Sequence, residues 1–221
     1  RITRVDTTHT FSDMGDRSLR LTASGLPRIA YGGSGLYYAS FDGANWSIQT
    51  VDSSSNVGKY ASLVLDRDGN PHISYYNASA RKLKYAHWTG SEWSITTVPD
   101  NNVDVGMYSS IDVDQENRPH ICYLDNINGT IKYAYWTGSA WSISTADVYQ
   151  VGKYLSMALD ASDKPHVSYY DAFNGNLKYA TRPETRWLPQ VIDIVGDVGA
   201  FTSLFLKDGI TPHISYFDEG S

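Results

Sequence analysis

A five-residue motif that returns at nearly constant spacing is the feature that most constrains this chain. Pro-His-Ile-Ser-Tyr occupies residues 71–75, and close copies begin at Pro119, Pro165 and Pro212. A weaker copy begins at Pro27, so the five prolines lie 44 to 48 residues apart. A glycine precedes four of these prolines by 13 residues, at Gly58, Gly106, Gly152 and Gly199. Because several motifs keep one register, the chain consists of repeats of one structural unit.

Each full repeat predicts four short strands, named A to D. In the first complete copy, strand A covers residues 60–65, strand B covers 72–76, strand C begins with Leu83-Lys-Tyr-Ala, and strand D follows Trp93. These segments are rich in β-branched and aromatic residues and are bounded by Gly, Asn, Asp and Ser, as strands require. No window shows the periodicity of a helix. The sequence therefore predicts an all-β fold.

Four antiparallel strands in every 44 to 48 residues are typical of a propeller blade. We expect a five-bladed β-propeller in one domain, with repeats at 7–52, 53–100, 101–147, 148–193 and 194–221. Residues 2–6 align with residues 48–52, so we expect them to form a strand D that completes the last blade. Pairing of the N-terminal strand with this incomplete blade would close the ring and remove a free sheet edge. The last repeat still lacks a strand C.

Composition excludes several classes of function. Of the 221 residues, 41% are apolar, which is enough for a packed core, and the net charge of −6 disfavours nonspecific nucleic-acid binding. Cys122 is the one cysteine in the sequence, so neither an intramolecular disulfide nor a cysteine-based zinc site can form. No apolar run approaches the roughly 20 residues that span a bilayer. We expect no cofactor, no metal ion, no nucleic acid and no membrane span.

The repeat resembles the propeller repeats of secreted and surface proteins of bacteria and archaea. Residues 40–46, Ser-Phe-Asp-Gly-Ala-Asn-Trp, resemble a degenerate Asp-box turn of sialidase-type propellers, and the counterparts at 89–93 and 137–141 lack the aspartate. In those families the box is a structural turn, so it does not imply sialidase activity. The size and number of repeats are similar to those of five-bladed tachylectin-type lectins. The resemblance implies a secreted or cell-surface location and a role in binding or scaffolding.

Polar residues that recur in every blade have a structural interpretation. Four histidines recur in strand B, in register with four serines in strand A: His72, His120, His166 and His213, with Ser62, Ser110, Ser156 and Ser203. Separate blades keep the histidines too far apart to share a metal ion. Because buried polar groups need partners, we predict a His–Ser or His–Tyr hydrogen bond inside each blade, with a catalytic or ligand role as the alternative. Residues 66–70 are interpreted as a tight turn, with a calcium loop as the alternative.

A functional site should break the repeat, because structural requirements are common to all blades. The first repeat differs most, with Arg17, Arg20 and Arg28, and the third repeat carries Asp112 in strand A. Strand A is innermost in a blade, so Arg17, Arg20 and Asp112 are expected near the central channel. Arginines there would bind an acidic sugar, a carboxylate or a phosphate. The alternative is that the sequence of the first blade has diverged without creating a binding site.

A second candidate surface is the rim formed by the D–A and B–C loops. It carries two lysines, two aspartates and a tyrosine, namely Lys59, Lys153, Asp125, Asp171 and Tyr149. Such side chains suit sugar binding. The alternative is that they are ordinary loop residues without a binding role.

These observations favour a noncatalytic extracellular module with a lectin-like affinity for a glycan or another surface ligand. One alternative is a carbohydrate-active enzyme, a polysaccharide lyase or a glycosidase, with its site near the central channel. Another is a structural or protein-interaction scaffold. Nearly identical blades favour binding or scaffolding, whereas one divergent cleft favours an enzyme, so enzymatic activity stays open.

Overall fold

The computed structural model describes residues 4–13, 17–148 and 152–219, which form 18 strands and no helix. Sheet 1 contains β1 (Leu19–Leu21), β2 (Pro27–Gly32), β3 (Leu36–Phe41) and β4 (Trp46–Asp52). Sheet 2 contains β5 (Val57–Leu65), β6 (Pro71–Asn77), β7 (Lys82–Trp88) and β8 (Trp93–Thr97). Sheet 3 contains β9 (Val105–Val113), β10 (Pro119–Asp125), β11 (Thr130–Trp136) and β12 (Trp141–Asp147). Sheet 4 contains β13 (Lys153–Leu159), β14 (Pro165–Asp171), β15 (Asn176–Thr181) and β16 (Leu188–Asp193), and sheet 5 contains β17 (Val198–Lys207) and β18 (Thr211–Asp218).

Sheets 1 to 4 are antiparallel meanders whose strands follow one another in chain order as A, B, C and D. The prediction of an all-β fold with four-stranded units is confirmed in these sheets. Strand A is longer than expected, since in sheet 2 it begins at Val57, and its pairing with β6 shifts register between Val57, Lys59 and Ser62. A β-bulge of this kind bends a strand and redirects its side chains.

The hydrophobic core lies between consecutive sheets. Leu63 and Ile73 of sheet 2 pack with Ala30 and Leu36 of sheet 1, and all four side chains are fully buried. Equivalent clusters join sheets 2 and 3, sheets 3 and 4, and sheets 4 and 5. Both faces of sheets 2, 3 and 4 are thus covered. Burial of each large apolar side chain stabilises the fold by about 1.5–3 kcal/mol.

The repeated glycine at the start of strand A permits a close approach between sheets. Gly106 has φ +115°, and a Cβ there would lie 2.6 Å from the Cα of Leu83 in sheet 2. Gly199 stands in the same relation to Leu177, at 2.8 Å. Only glycine fits a position that requires both this backbone conformation and this spacing.

Sheet 5 has two strands, and the expected pairing of an N-terminal strand D with it is not observed. Residues 1–3 lie outside the described residues, and residues 4–6 form no strand. Asp6 nevertheless accepts a hydrogen bond from the Tyr31 hydroxyl at 2.5 Å, the contact that Asp52 makes with Tyr75 at 2.7 Å. Asp6 thus makes the contact of the repeat, but the described residues of the N-terminal segment form no strand with β18.

Candidate functional site

The strand-B histidines of sheets 2, 3 and 4 lie in Tyr–His–Asp chains. Nδ1 of His72 is 2.6 Å from the hydroxyl of Tyr85, and its Nε2 is 3.5 Å from Asp66. Sheets 3 and 4 repeat this chain with His120 and Tyr133, and with His166 and Tyr179. The sequence predicted that each histidine bonds to either a serine or a tyrosine, and the structure contains the bond to tyrosine.

The strand-A serines bind the next sheet instead of a histidine. The hydroxyl oxygen of Ser62 accepts a hydrogen bond from the backbone N–H of Ile111 at 3.2 Å, and Ser110 accepts one from Met157 at 3.0 Å. Ser156 accepts one from Leu204 at 2.9 Å, whereas Ser203 in sheet 5 is exposed. Sequence alone does not show this role, because the partner belongs to another repeat.

Burial favours the uncharged form of the imidazole and of the phenol in the chains of sheets 2 and 3. It lowers the pKa of His72 to about 4, although the neighbouring Asp66 carboxylate acts in the opposite direction. Burial also lowers the pKa of His120 and raises the pKa values of Tyr85 and Tyr133. The carboxyl of Asp66 accepts hydrogen bonds from the backbone N–H groups of Asp68 and Asn70, which is the geometry of a tight turn. Among the described residues, no three His, Cys, Asp or Glu side chains form a group that could hold a metal ion.

The structure brings Arg17, Arg20 and Asp112 together around a cavity of about 470 Å³. Arg17 donates from Nη2 to the carbonyl of Leu204 at 2.7 Å, and its Nε lies 3.4 Å from the Ser156 hydroxyl. Asp112 accepts a hydrogen bond from the N–H of Leu159 at 2.9 Å. Arg17 and Asp112 therefore hold neighbouring sheets together as well as lining the cavity.

Arg28 lies outside this cavity lining and occupies the position of the strand-B histidine. Its Nη1 donates to the carbonyl of Phe41 at 2.7 Å. It lies beside Tyr38, whose pKa burial raises to about 12. Arg28 thus takes the structural place of histidine in sheet 1.

The residues proposed for the rim have different surroundings. Asp125 and Asp171 are buried, and each carboxylate accepts hydrogen bonds from backbone N–H groups of its own B–C turn. Lys59 lies 3.2 Å from the carboxylate of Asp13, and Lys153 is exposed. Tyr149 lies outside the described residues. The two aspartates are occupied in stabilising turns, so the candidate site does not include them.

An aromatic ladder, which the sequence reasoning did not single out as a site, follows strand A from sheet to sheet. Tyr60, Tyr108, Tyr154 and Phe201 have φ values of 51° to 54°, and successive ring centroids are 4.5, 5.4 and 4.2 Å apart. Bulky residues rarely adopt this conformation, so the surrounding fold must enforce it. The available signal was an aromatic residue two positions after each repeated glycine.

The most distinctive cavity is a groove of about 520 Å³ between sheets 2 and 3, here called the inter-sheet groove. Its lining includes aromatic rings from both sheets: His72, Tyr85, His87, Trp136 and Trp141. Trp141 contacts Tyr85 edge-on at 5.6 Å, and Trp136 contacts Trp141 at 5.8 Å. The strand pairing of sheet 2 and the turns of sheet 3 position these rings.

His87 breaks the repeat within this groove. It pairs in register with His72, while Tyr135, Thr181 and Ser40 hold the same position in sheets 3, 4 and 1. Its Nδ1 is buried without a hydrogen-bond partner, and burial lowers its pKa. An unsatisfied buried nitrogen costs about 1–3 kcal/mol. A buried group without a partner calls for an explanation, and a functional role is one of the explanations that apply.

The charges of the inter-sheet groove largely cancel. Arg118 donates from Nε to Asp114 at 2.6 Å, and its Nη1 lies 2.8 Å from Glu116. Both histidines are neutral and Tyr85 is protonated at pH 7, because burial shifts each pKa towards the uncharged form. The groove therefore offers aromatic faces and hydrogen-bonding groups with little net charge. A comparison of the residue that directly follows each Leu-Lys-Tyr-Ala segment of strand C, or its variant, would have singled out His87.

No family model matches the chain, and no curated protein sequence matches it. Solved structures match at the level of the fold. A mutant of AofleA from Arthrobotrys oligospora aligns with 91% of this chain at 16% identity and a TM-score of 0.62. The chain spans 64% of that protein's length. This chain has a propeller-like fold.

Two further structures share this fold. An ulvan lyase, solved with a GlcA(1-4)Rha3S ligand, covers 83% of this chain at 13% identity and a TM-score of 0.56, over 59% of its own length. The Aleuria aurantia lectin, in complex with Fucα1-6GlcNAc, covers 90% of this chain at 14% identity and a TM-score of 0.56, over 69% of its own length. In the described part of this chain, no helix is long and apolar enough to cross a membrane.

Proposed function

We propose that this protein is a noncatalytic, lectin-like propeller that binds a neutral sugar residue in the inter-sheet groove. The observation that carries this proposal is the cluster of aromatic rings around His87. Sheet 2 has an imidazole at this position of strand C, whereas the other complete sheets have serine, tyrosine or threonine there. A groove with aromatic walls and a few polar groups is typical of a small-molecule site. A lectin among the fold neighbours is consistent with this function at a coarse level.

Neutral sugar chemistry suits the groove. The C–H face of a sugar ring stacks on an aromatic ring such as Trp136, and sugar hydroxyls hydrogen-bond to neutral imidazoles. An acidic sugar is less suited, since the guanidinium of Arg118 is already paired with Asp114 and Glu116. This favours the groove over the arginine-lined cavity that the sequence had suggested.

The number of carboxylates that line the groove favours binding over hydrolysis. Glycosidases use two carboxyl groups about 5–10 Å apart. Among the described residues that line the groove, Glu116 carries the one carboxylate, and it is paired with Arg118. The proposal includes a five-bladed arrangement and a secreted or cell-surface location, which the number of repeats and the resemblance to surface-protein repeats support.

Glycan-array binding of three matched proteins tests this function: the parent chain, Trp136→Ala and Trp88→Ala. Trp88 packs on Trp93 at 5.6 Å, much as Trp136 packs on Trp141, but it lines none of the cavities described above. Loss of the stacking ring should weaken binding at least tenfold in Trp136→Ala. The Trp88→Ala variant should bind within about twofold of the parent.

His87→Thr provides a second variant, because sheet 4 carries Thr181 at this position. It should retain the fold and weaken sugar binding by about tenfold, the worth of one hydrogen bond. Equal losses in Trp136→Ala and Trp88→Ala would place the site elsewhere. A bound oligosaccharide recovered in shortened form would contradict the noncatalytic assignment. Absence of binding to any glycan would favour a scaffold.

A further inference from the structure

Beyond the inter-sheet groove, we propose that the junction between sheets 3 and 4 holds a second sugar subsite, in which Arg182 binds the anionic group of an acidic sugar residue. Sheets 3 and 4 each contain four paired strands, so both walls of this junction are complete. The cavity at this junction shares no lining residue with the inter-sheet groove. Binding of an acidic sugar here therefore does not require neutral-sugar binding in the groove.

The junctions between consecutive sheets repeat one aromatic contact. A tyrosine of strand C meets, edge-on, the tryptophan at the start of strand D in the next sheet. The ring centroids are 5.4, 5.6 and 5.2 Å apart in the three pairs, Tyr38–Trp93, Tyr85–Trp141 and Tyr133–Trp187. The inter-sheet groove lies at the second of these contacts. The third contact marks the equivalent place between sheets 3 and 4.

Arg182 breaks the repeat at this third contact. Three positions after the strand-C tyrosine, sheets 1, 2 and 3 carry an aromatic residue, namely Phe41, Trp88 and Trp136. Sheet 4 carries Arg182 there. The packing of the repeat does not require a cation at this position, because three sheets form without one.

The guanidinium of Arg182 is held in place by its surroundings. Its Cζ lies 5.8 Å from the ring centroid of Tyr133 and 6.0 Å from that of Tyr135, which is the range of a cation–π contact. Its Nε donates a hydrogen bond to the carbonyl of Thr185 at 3.2 Å. A cationic group that is already ordered loses less conformational entropy when it binds a ligand.

The two Nη groups of Arg182 remain available to a ligand. Among the described residues they have no hydrogen-bond acceptor and no carboxylate partner. In the inter-sheet groove, by contrast, Arg118 pairs with both Asp114 and Glu116. Glu184, the acidic residue beside Arg182 in the same turn, is exposed and forms no ion pair within the described part of the chain. A planar guanidinium presents parallel N–H donors that match two oxygens of an anionic group.

A cavity of about 430 Å³ at this junction provides space for the sugar ring. Its lining includes side chains from β12 and from the turn before β16, namely Ser144, Thr145, Thr185, Arg186 and Trp187. Thr185 joins the cavity to Arg182, because its carbonyl accepts the hydrogen bond from Nε. The hydroxyl groups suit sugar hydroxyls, and the exposed Arg186 adds a second cation. Hydrogen-bonding groups beside a fixed cation are what an acidic sugar residue requires.

NMR titration with three trisaccharide probes tests this subsite: trigalacturonate, sulfated maltotriose and maltotriose. The first carries carboxylates, the second carries sulfates and the third is neutral. We expect the acidic probes to shift the indole N–H signal of Trp187, which its loss in Trp187→Phe identifies, whereas maltotriose leaves this signal unchanged. A higher salt concentration should weaken the response. A response to one acidic probe alone would support the subsite and identify the anionic group that it takes.

Variants of Arg182 locate the anion. Arg182→Gln should bind the acidic probes at least tenfold more weakly, because a charge-assisted hydrogen bond is lost. Arg182→Trp should fold and show the same loss, since sheet 3 carries Trp136 at this position. Arg182→Lys should bind with intermediate affinity, because it keeps the charge without the planar fork. Arg67→Gln, which changes an exposed turn arginine in sheet 2, is the control and should bind as the parent does.

Three outcomes would overturn the proposal. They are an unchanged Trp187 signal with all probes, an equal response of this signal to maltotriose, and equal binding of the acidic probes by the parent and Arg182→Gln proteins. A lower Tm of Arg182→Gln with unchanged binding would assign Arg182 to packing alone. Trp136→Ala should keep acidic-probe binding and Arg182→Gln should keep neutral-sugar binding, so failure of one site is distinguishable from failure of the other.

Discussion

Histidines in sheet 2 occupy two distinct environments, which differ in the hydrogen-bond partners of the imidazole ring. His72, in its chain with Tyr85 and Asp66, has both ring nitrogens near a partner within its own sheet. His87, one strand away, has a buried Nδ1 without a partner. Both imidazoles are neutral, so the difference lies in hydrogen bonding and not in charge.

The buried histidine of sheet 2 predicts a loss of stability in mild acid. The pKa of His72 is about 4 in the folded state and about 6.5 when unfolded, so the unfolded chain binds the extra proton first. Stability is therefore full above pH 6.5 and falls as the pH decreases towards 4. The contribution of His72 is about 3 kcal/mol.

Chemical denaturation between pH 7 and pH 4.5 measures this loss. His72→Gln should lose about 2 kcal/mol less than the parent over this range. His213→Gln, which changes the exposed counterpart in β18, should follow the parent curve. A parent protein whose stability is constant over this range would contradict the assigned burial of His72.

An aspartate at the end of strand D hydrogen-bonds to strands B and C of the next sheet and so joins neighbouring sheets. The same residue type occupies two environments. Asp147 is 2% exposed and binds both Tyr169 and Lys178. Asp193 binds the Tyr216 hydroxyl and the backbone N–H of Val195, with no lysine beside it in sheet 5. The strand-C lysine is what converts an exposed hydrogen bond into a buried ion pair.

The pair Asp147→Asn and Asp193→Asn predicts unequal losses of stability. Removal of the Asp147 charge leaves Lys178 buried without its counter-ion, which costs about 3–5 kcal/mol. The equivalent change at Asp193 should cost much less, because its carboxylate is exposed to solvent. Urea unfolding of both variants provides the measurement, and equal losses would show that the strand-C lysine adds nothing.

Across the whole molecule, Arg17 links distant parts of the chain. It lies just before β1 and contacts Ser156 of sheet 4 and Leu204 of sheet 5, more than 130 residues away in sequence. These two side-chain contacts link sheet 1 to sheets 4 and 5.

Arg17→Ala should loosen sheet 1. The loss of a hydrogen bond from a charged group costs about 1.5–3 kcal/mol, which corresponds to a decrease in Tm of roughly 5 °C. Amide exchange in β1 and β17 should become faster, while that in β10 should not change. Arg67→Ala, which removes an exposed turn arginine, is the control. Unchanged exchange in β1 would show that Arg17 does not join the ends.

Much of the candidate site could not be read from the sequence. The rim carboxylates Asp125 and Asp171 looked accessible because they follow strand B, yet the B–C turns fold back and bury them. The inter-sheet groove was missed because His72 and Trp141 lie in different repeats, and only the packing of sheets 2 and 3 places them on one surface.

The sequence by itself determined the strands of sheets 1 to 4 and their order, and it limited the partner of the strand-B histidine to a serine or a tyrosine. Those features depend on local alternation and on contacts within one repeat, which a repeated pattern records directly. Only the tertiary structure decided that the strand-A serines bind the next sheet, that Arg17 contacts sheet 5 and that a groove forms between sheets 2 and 3. These contacts join different repeats, and sequence spacing carries no information about which surfaces will meet.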